Sequence, residues 1–240
     1  MHETVHGFPG ILGSIDCMHW EWKNSPTTWR DQFTSGYKGN HPTMILEAIA
    51  DHQLWIWHAY FSVAGSNNDI NVLNSSYLFI EQCNDNGPTI EFTANGRQHM
   101  GYYLADGIYP RWPVFFETIT CPISERRVLF AQKLEAARKD VEWAFGVLQA
   151  RFIVKGPARF WYKDVIADVM YVCIILHNML VEHEGGRVTD WGDDEAGSSS
   201  NTTTPPHVRG LLAGYNEVLA RQASMRNQQD HARLMSDMVG

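Results

Sequence analysis

Residues 7–20 read GFPGILGSIDCMHW, and this stretch decides the fold that the sequence predicts. Apolar and mixed side chains alternate over residues 11–18, which is typical of a β-strand because successive side chains of a strand point to opposite faces. One face then holds Ile11, Ile15 and Cys17, and the other holds Leu12, Ser14, Asp16 and Met18. The predicted strand therefore carries the carboxylate of Asp16 within an apolar run.

Further strands and helices follow this first strand along the chain. Residues 44–50 and 54–61 are apolar, β-branched and aromatic runs separated by the turn-prone DHQ, which predicts a hairpin. Residues 101–105 predict a fourth strand that ends at Asp106. Apolar spacing and capping predict helices over residues 70–83, capped by Asp69, and over residues 134–152 and 165–181. The order predicts an α/β fold, with a mixed sheet flanked by helices.

Composition divides the chain near Glu184. Residues 7–184 form the predicted folded domain. Residues 185–207 are rich in Gly, Ser, Thr, Pro and acidic residues, which predicts a flexible linker because such a segment buries too little apolar surface to offset its ordering entropy. Residues 208–238 again show apolar residues at helical spacing, which predicts a C-terminal helix.

The overall composition limits the class of protein. The chain has 240 residues, 44 % hydrophobic content and a formal net charge of −8, which excludes collagen-like and wholly disordered proteins. A secretory signal and a membrane-length apolar run are not evident, so an intracellular protein without a membrane partner is expected. The four cysteines form no C-x-x-C pair and are expected to be reduced core residues.

Three acidic residues occupy informative positions. Asp16 lies inside a strand, Asp106 ends another, and Glu142 lies at the margin of the apolar stripe of a helix. If the strands are adjacent, the three carboxylates repel one another unless a divalent cation offsets their charge, and an oxygen-only site favours Mg²⁺ or Mn²⁺. Two such ions serve in-line phosphoryl transfer, which indicates a nuclease or strand transferase. The alternatives are hydrogen bonds from loop N–H groups to the aspartates, and an i, i+4 ion pair between Glu142 and Arg138.

A basic segment contrasts with the acidic average. Residues 126–163 carry nine Lys or Arg against three Asp or Glu. This excess predicts either DNA contact or a solvated helix face. The candidates for DNA contact are Arg138, Lys139, Arg151 and Lys155.

Two further groups of residues have alternative interpretations. Trp20, Trp22 and Trp29, beside Lys23 and Arg30, are expected to pack in the core, and the alternative is base stacking. Asp69 is expected to cap a helix, and the alternative is a position near the metal site.

Five motifs together resemble plant transposases of the PIF/Harbinger superfamily. They are residues 7–20, 63–73 (VAGSNNDINVL), 102–110 (YYLADGIYP), 138–149 (RKDVEWAFGVLQ) and 174–179 (IILHNM). The resemblance covers residues 7–184 and implies an RNase H-like catalytic domain with a DDE metal site. The three acids of that site fall on Asp16, Asp106 and Glu142.

The resemblance also implies a biological setting. It implies a metal-dependent DNA endonuclease and strand transferase that acts in the nucleus with DNA and with a separate Myb-like DNA-binding protein. The alternatives are a catalytically silent, domesticated nuclear interaction protein and a nuclease for RNA-containing substrates. Relatives usually carry Arg where this chain has Trp143, and a long helical region ahead of the first Asp, so a truncated chain is expected. The oligomeric state, including a homo-oligomer, stays open.

Overall fold

The computed structural model describes residues 7–36, 39–78, 90–119, 122–152, 156–184, 220, 223 and 226–239. The strands within these residues are β1 (Ile11–Glu21), β2 (Thr43–Ala50), β3 (Ile56–Ala64), β4 (Glu91–Ala94), β5 (Arg97–Met100), β6 (Tyr102–Leu104) and β7 (Phe115–Phe116). The helices are α1 (Thr27–Phe33), α2 (Asp69–Ser75), α3 (Glu125–Arg138), α4 (Asp140–Phe152), α5 (Lys163–Glu184) and α6 (Gln228–Val239).

A five-stranded mixed sheet forms the centre of the fold. Its strand order is β3-β2-β1-β6-β7, in which β1, β2 and β3 pair antiparallel while β6 pairs parallel to both β1 and β7. Helices α4 and α5 cover β1, β2 and β3 on one face, and α3 packs against β1 and β6. The prediction of a mixed sheet flanked by helices is confirmed.

The first strand changes face at a bulge near its start. Its pairing with β6 shifts register between Ile11 and Gly13, where Gly13 has a φ of 154° and a Cβ would lie 2.8 Å from the carbonyl oxygen of Ala50. Ile11 therefore packs with Leu104 in the cluster under α3, and Leu12 contacts the cluster around Ile15 on the other face. The predicted side assignment was wrong for Ile11 and Leu12, because the bulge reverses the alternation there.

The predicted helices require three corrections. The helix predicted over residues 134–152 is two helices, α3 and α4, which meet at Lys139. Helix α2 ends at Ser75, and its N-cap is Asn68, whose side chain accepts a hydrogen bond from the Asn71 N–H at 2.8 Å. The prediction that Asp69 caps this helix was therefore wrong, since Asp69 is already its first residue.

A small hairpin of β4 and β5 also lies outside the predicted elements. Its turn is Asn95-Gly96, with φ of 50° and 76°, a pair that strongly favours tight hairpins because both residues tolerate positive φ. Helix α6 docks on this hairpin through Asp237, whose carboxylate lies 3.0 Å from His99 Nε2 and 3.3 Å from Arg97 Nη1. The C-terminal helix predicted over residues 208–238 is thus observed from Gln228 onward. The predicted linker, residues 185–207, lies outside the described residues.

Helix α5 is joined to the β2–β3 hairpin by side chains of its motif IILHNM. The Asn178 amide accepts from the Ile56 N–H at 2.9 Å and donates to the Ile56 carbonyl at 2.8 Å, while His177 Nε2 lies 2.7 Å from the Leu54 carbonyl oxygen. By length and composition this helix of 22 residues is also apolar enough to cross a membrane, although core helices meet the same criterion. It packs one side against β3 and α4, and large apolar residues of the other side, among them Val172, Ile175 and Met179, are exposed.

Candidate active site

Asp16 and Asp106 lie on neighbouring parallel chains at the centre of the sheet. Ser14 of β1 pairs with Leu104, the last residue of β6, and Asp16 and Asp106 each follow two residues later along the two neighbouring chains. Paired residues of parallel strands present their side chains to the same face. That face is the one covered by α3 and α4, because Met18 and Trp20 of the same strand face pack with Val141 and Phe145. The two strands are neighbours as expected, and Asp106 is close enough for its charge to raise the pKa of Asp16.

Each aspartate also accepts a local backbone hydrogen bond. Asp16 Oδ1 accepts from the Cys17 N–H at 2.8 Å, and Asp106 Oδ1 accepts from the Ile108 N–H at 3.0 Å. The alternative of a loop N–H donor thus applies to Asp106, whereas the donor to Asp16 is the next residue of its own strand. These bonds orient the two side chains.

The environment of Asp16 disfavours its charged form. Burial is the largest cause that raises its pKa, to about 6, against the lowering effect of the Cys17 hydrogen bond. The negative charges of Asp106, Asp69 and Glu142 raise it further. A carboxyl group with a pKa raised by burial and by several neighbouring acids is a common sign of a functional site. Of these four acidic residues, Asp16, Asp106 and Glu142 are the predicted metal ligands.

Glu142 reaches this region from α4, where Arg138 binds it. Arg138 Nη1 lies 3.1 Å from Glu142 Oε1, and Arg138 Nε lies 3.2 Å from Glu135 Oε2. The Ser14 hydroxyl donates to the Ala137 carbonyl at 2.8 Å, which fixes the end of α3, and with it Arg138, beside the strand that carries Asp16. The expected alternative, an i, i+4 ion pair, is therefore the contact that the structure contains.

Only some of the three predicted ligands, Asp16, Asp106 and Glu142, suit a divalent cation. Asp16 and Asp106 would supply hard oxygen ligands of the kind that Mg²⁺ or Mn²⁺ prefers. The Glu142 side chain is 45 % exposed and paired with Arg138, and within the described ranges no three His, Cys, Asp or Glu residues converge in a metal-binding group. The chemistry of Asp16 and Asp106 thus suits a divalent cation, whereas the Glu142 carboxylate is paired with Arg138.

A second buried carboxylate lies on the opposite face of the sheet. Glu47 of β2 pairs with Cys17 and is fully buried, and its Oε1 lies 3.2 Å from His58 Nε2. The same His58 nitrogen lies 3.2 Å from the Ser76 hydroxyl. Glu47 was not predictable as a site residue, because one acid in an apolar strand gives no sign of which face it occupies.

The predicted DNA-contact residues have different surroundings. The Lys139 side chain is exposed, Arg138 is engaged by two glutamates, and Arg151 Nη2 lies 2.5 Å from Glu184 Oε2. Lys155 lies outside the described residues. Exposed cations of α3 that were not selected are Arg126, Arg127 and Lys133.

Comparison with protein families decides the relationship of the chain. The family described as plant transposon protein matches residues 2–188, which include the strands, the acidic residues and helices α3, α4 and α5. The chain belongs to the plant transposon protein family. Neither the curated proteins nor the solved structures gave a match to this chain. Membership of this family indicates a transposase-derived function.

Proposed function

We propose that this plant transposon protein is the metal-dependent DNA endonuclease and strand-transferase domain of a PIF/Harbinger-type DDE transposase. The observation that carries the proposal is the raised pKa of Asp16, on a strand that neighbours β6, to which burial and the charges of Asp106 and Glu142 contribute. Its substrate class would be DNA phosphodiesters, and its location the nucleus.

The architecture supports an RNase H-like assignment. Three antiparallel strands are followed in the sheet by two strands parallel to the first, and helices pack on the sheet. This is the arrangement that the motif resemblance implies. In this arrangement Asp16 belongs to the first strand, and Asp106 follows the strand that lies parallel beside it.

The proposed chemistry assigns roles to the acidic side chains. When bound, two divalent cations would activate a water or a 3′-hydroxyl and stabilise the leaving oxygen. Asp16 and Asp106 would hold the cations through carboxylate oxygens, oriented by the Cys17 and Ile108 N–H groups. Glu142 would join them after release from Arg138, which costs about 0.3 to 0.5 kcal/mol for a partly exposed i, i+4 pair. That cost is small beside the affinity of a carboxylate site for a divalent cation.

The Arg138–Glu142 pair favours a second candidate function. In a catalytically silent, domesticated protein the guanidinium would neutralise the acids permanently, and the fold would act as a nuclear interaction module. The same contact that obstructs a three-carboxylate site supports this alternative. The two candidates differ in whether a divalent cation displaces Arg138.

DNA binding would use the exposed cations of α3. Arg126, Arg127, Lys133 and Lys139 are exposed on the helix that ends beside the acidic site. Phosphate contacts of this kind give salt-sensitive, sequence-independent affinity. Sequence-specific recognition is therefore assigned to a Myb-like partner protein, and a homo-oligomer is an assembly that would bring two DNA ends together.

A thermal-shift titration with Mn²⁺ tests the proposal. A ligand that binds the native state alone adds about 2.7 kcal/mol of stability at one hundred times its Kd. Mn²⁺ should raise the melting temperature of the wild type above that in NaCl of equal ionic strength, and Asp106→Asn should remove the difference. Arg138→Gln should lower the Mn²⁺ concentration that gives half of the shift. A wild-type protein with the same melting temperature in both salts would contradict the proposal and support the silent alternative.

A further inference from the structure

A loop of consecutive aromatic residues lies at the far end of β1 from the bulge. Residues 159–163 read RFWYK, and the aromatic rings of Phe160, Trp161 and Tyr162 are exposed to 49, 59 and 70 %. We call residues 156–162 the aromatic loop. Three consecutive aromatic side chains that are exposed to water form an apolar patch, and such patches are often covered by a binding partner. The loop is therefore a candidate binding surface.

The aromatic loop is held firmly by buried tryptophans. The indole N–H of Trp22 donates to the Phe160 carbonyl at 2.8 Å, and that of Trp20 donates to the Gly156 carbonyl at 2.8 Å. The backbone of Ala158 bonds in both directions to β1 and the residues after it, at 2.7 and 2.9 Å. Trp20 and Trp22 are buried, which confirms their predicted core packing, and their polar edges fix the loop backbone. The exposed rings therefore project from a rigid base.

Cations lie on the aromatic loop and on the segment bonded to it, since Arg159 belongs to the loop and the Lys23 N–H donates to the Ala158 carbonyl. Lys23, Arg30 and Arg159 are exposed, and Lys163 Nζ lies 5.4 Å from the ring centroid of Trp29. The exposed acids next to them in sequence are Asp31 and Asp164. The chain as a whole carries a net charge of −8, so a polyanion is attracted only to local patches of this kind. Aromatic faces interleaved with cations match the bases and phosphates of a nucleic acid.

We infer that the aromatic loop is a stacking platform for unpaired bases of a DNA strand, distinct from the acidic site. The choice of DNA as the ligand rests on the proposed function. Trp22 lies six residues beyond Asp16, just after β1 ends at Glu21, which at about 3.3 Å per residue is a separation of about 20 Å. At about 3.4 Å per nucleotide along one strand this is about six nucleotides from the site of cleavage. The loop would hold single-stranded DNA that flanks the reacting phosphodiester.

Binding of oligonucleotides to the full chain in EDTA tests this inference. The probes are a fluorescein-labelled single strand of 20 thymidines and a mixed-sequence duplex of 20 base pairs, followed by fluorescence anisotropy. Trp161→Ala and Tyr162→Ala should each weaken binding of the single strand about tenfold or more, because base–aromatic stacking is lost. Binding of the duplex, whose bases are paired, should change less than about threefold, since it depends on phosphate contacts. Trp161→Phe should restore most of the affinity.

Tyr77→Ala is the matched control, because Tyr77 is an aromatic residue of similar exposure, 63 %, on a different part of the surface. It should leave both affinities unchanged, and circular dichroism should show that all variants are folded. Equal single-strand affinity of the wild type and both loop variants would overturn the inference. A wild-type dimer in sedimentation equilibrium that Trp161→Ala dissociates would also overturn it, in favour of a second copy on the loop. EDTA keeps this result independent of the Mn²⁺ test, so failure of either proposal is seen separately.

Discussion

Asp16→Asn should stabilise the protein at neutral pH, which is unusual for a substitution on a central strand. The asparagine keeps the shape of the side chain, and its oxygen can still accept the hydrogen bond from the Cys17 N–H. What it removes is a negative charge that burial and three neighbouring acids disfavour. The substitution therefore relieves a cost that the native protein carries for its site.

The expected gain in unfolding free energy follows from the pKa of Asp16. A pKa raised from 3.8 to about 6 corresponds to about 3 kcal/mol of differential stability between the ionised and neutral forms. Partial exposure of the side chain and relaxation of the site reduce this, so the expected gain in unfolding free energy is about 1 to 3 kcal/mol at pH 7.5.

The raised pKa of Asp16 also makes the unfolding free energy of the wild type depend on pH. Between about pH 4 and pH 6 the native state binds more protons at Asp16 than the unfolded chain does, so wild-type stability falls as the pH rises through this window. The advantage of Asp16→Asn should be absent at and below about pH 4 and complete above about pH 6.

Urea unfolding in EDTA at pH 4.0 and pH 7.5 measures this advantage. Asp168→Asn, which removes an exposed carboxylate from α5, is the matched control and should change the unfolding free energy by less than about 0.5 kcal/mol at both pH values. An Asp16→Asn protein that is less stable than the wild type at pH 7.5, or equally stabilised at both pH values, would refute the reasoning.

Three further substitutions test the packing that supports the site, each by urea unfolding. His58→Ala should cost about 3 kcal/mol, because it removes the partner of the fully buried carboxylate of β2, whereas His41→Ala, in an exposed pair, should cost less than about 0.5 kcal/mol. Asn178→Ala should cost about 2 kcal/mol through loss of both hydrogen bonds to β3, and an unchanged midpoint would contradict that anchor. Gly65→Ala should cost about 1 to 3 kcal/mol, since its Cβ would lie 2.6 Å from a backbone oxygen of β2, and Gly36→Ala, with nothing within 4 Å, should be tolerated.

Local patterns in the sequence were sufficient to find the centre of the fold. The alternation from Gly13 onward identified β1 and the face of Asp16, because this strand keeps a regular pleat over its whole length after the bulge. The reversal at Ile11 and Leu12 was not predictable from hydrophobicity, since both residues are apolar and suit either face. The Asn95-Gly96 turn was a usable signal for the β4–β5 hairpin, and its flanking residues alternate too weakly to draw attention.

The division of α3 from α4 shows a different limit of the sequence. Leu134, Ala137, Val141 and Ala144 keep helical spacing across the break at Lys139, because both helices bury the same side against the sheet. Periodicity therefore continues where the backbone does not. The position of the Glu142 side chain was open for a similar reason. Its spacing suits both an ion pair with Arg138 and a turn toward Asp16, and the choice depends on side-chain rotamers.

The aromatic loop was overlooked because its residues have no periodic pattern. Phe160, Trp161 and Tyr162 would all be assigned to a core by hydrophobicity alone. They are exposed because the loop backbone is bonded to the indoles of Trp20 and Trp22. Tertiary contacts of this kind set the surface chemistry, and a single sequence does not display them.

Cleavage of supercoiled plasmid DNA in Mn²⁺ tests most directly whether the protein is a metal-dependent DNA endonuclease. The assay compares the wild type with Asp106→Asn and uses Asp168→Asn as the matched control. The wild type and the control should nick the plasmid, and Asp106→Asn, although folded, should be slower by a factor of about one hundred or more, because the proposed catalytic cation would need the carboxylates of both Asp16 and Asp106. Nicking by Asp106→Asn at the wild-type rate would contradict the account, as would a wild-type protein that binds Mn²⁺ and leaves the plasmid intact.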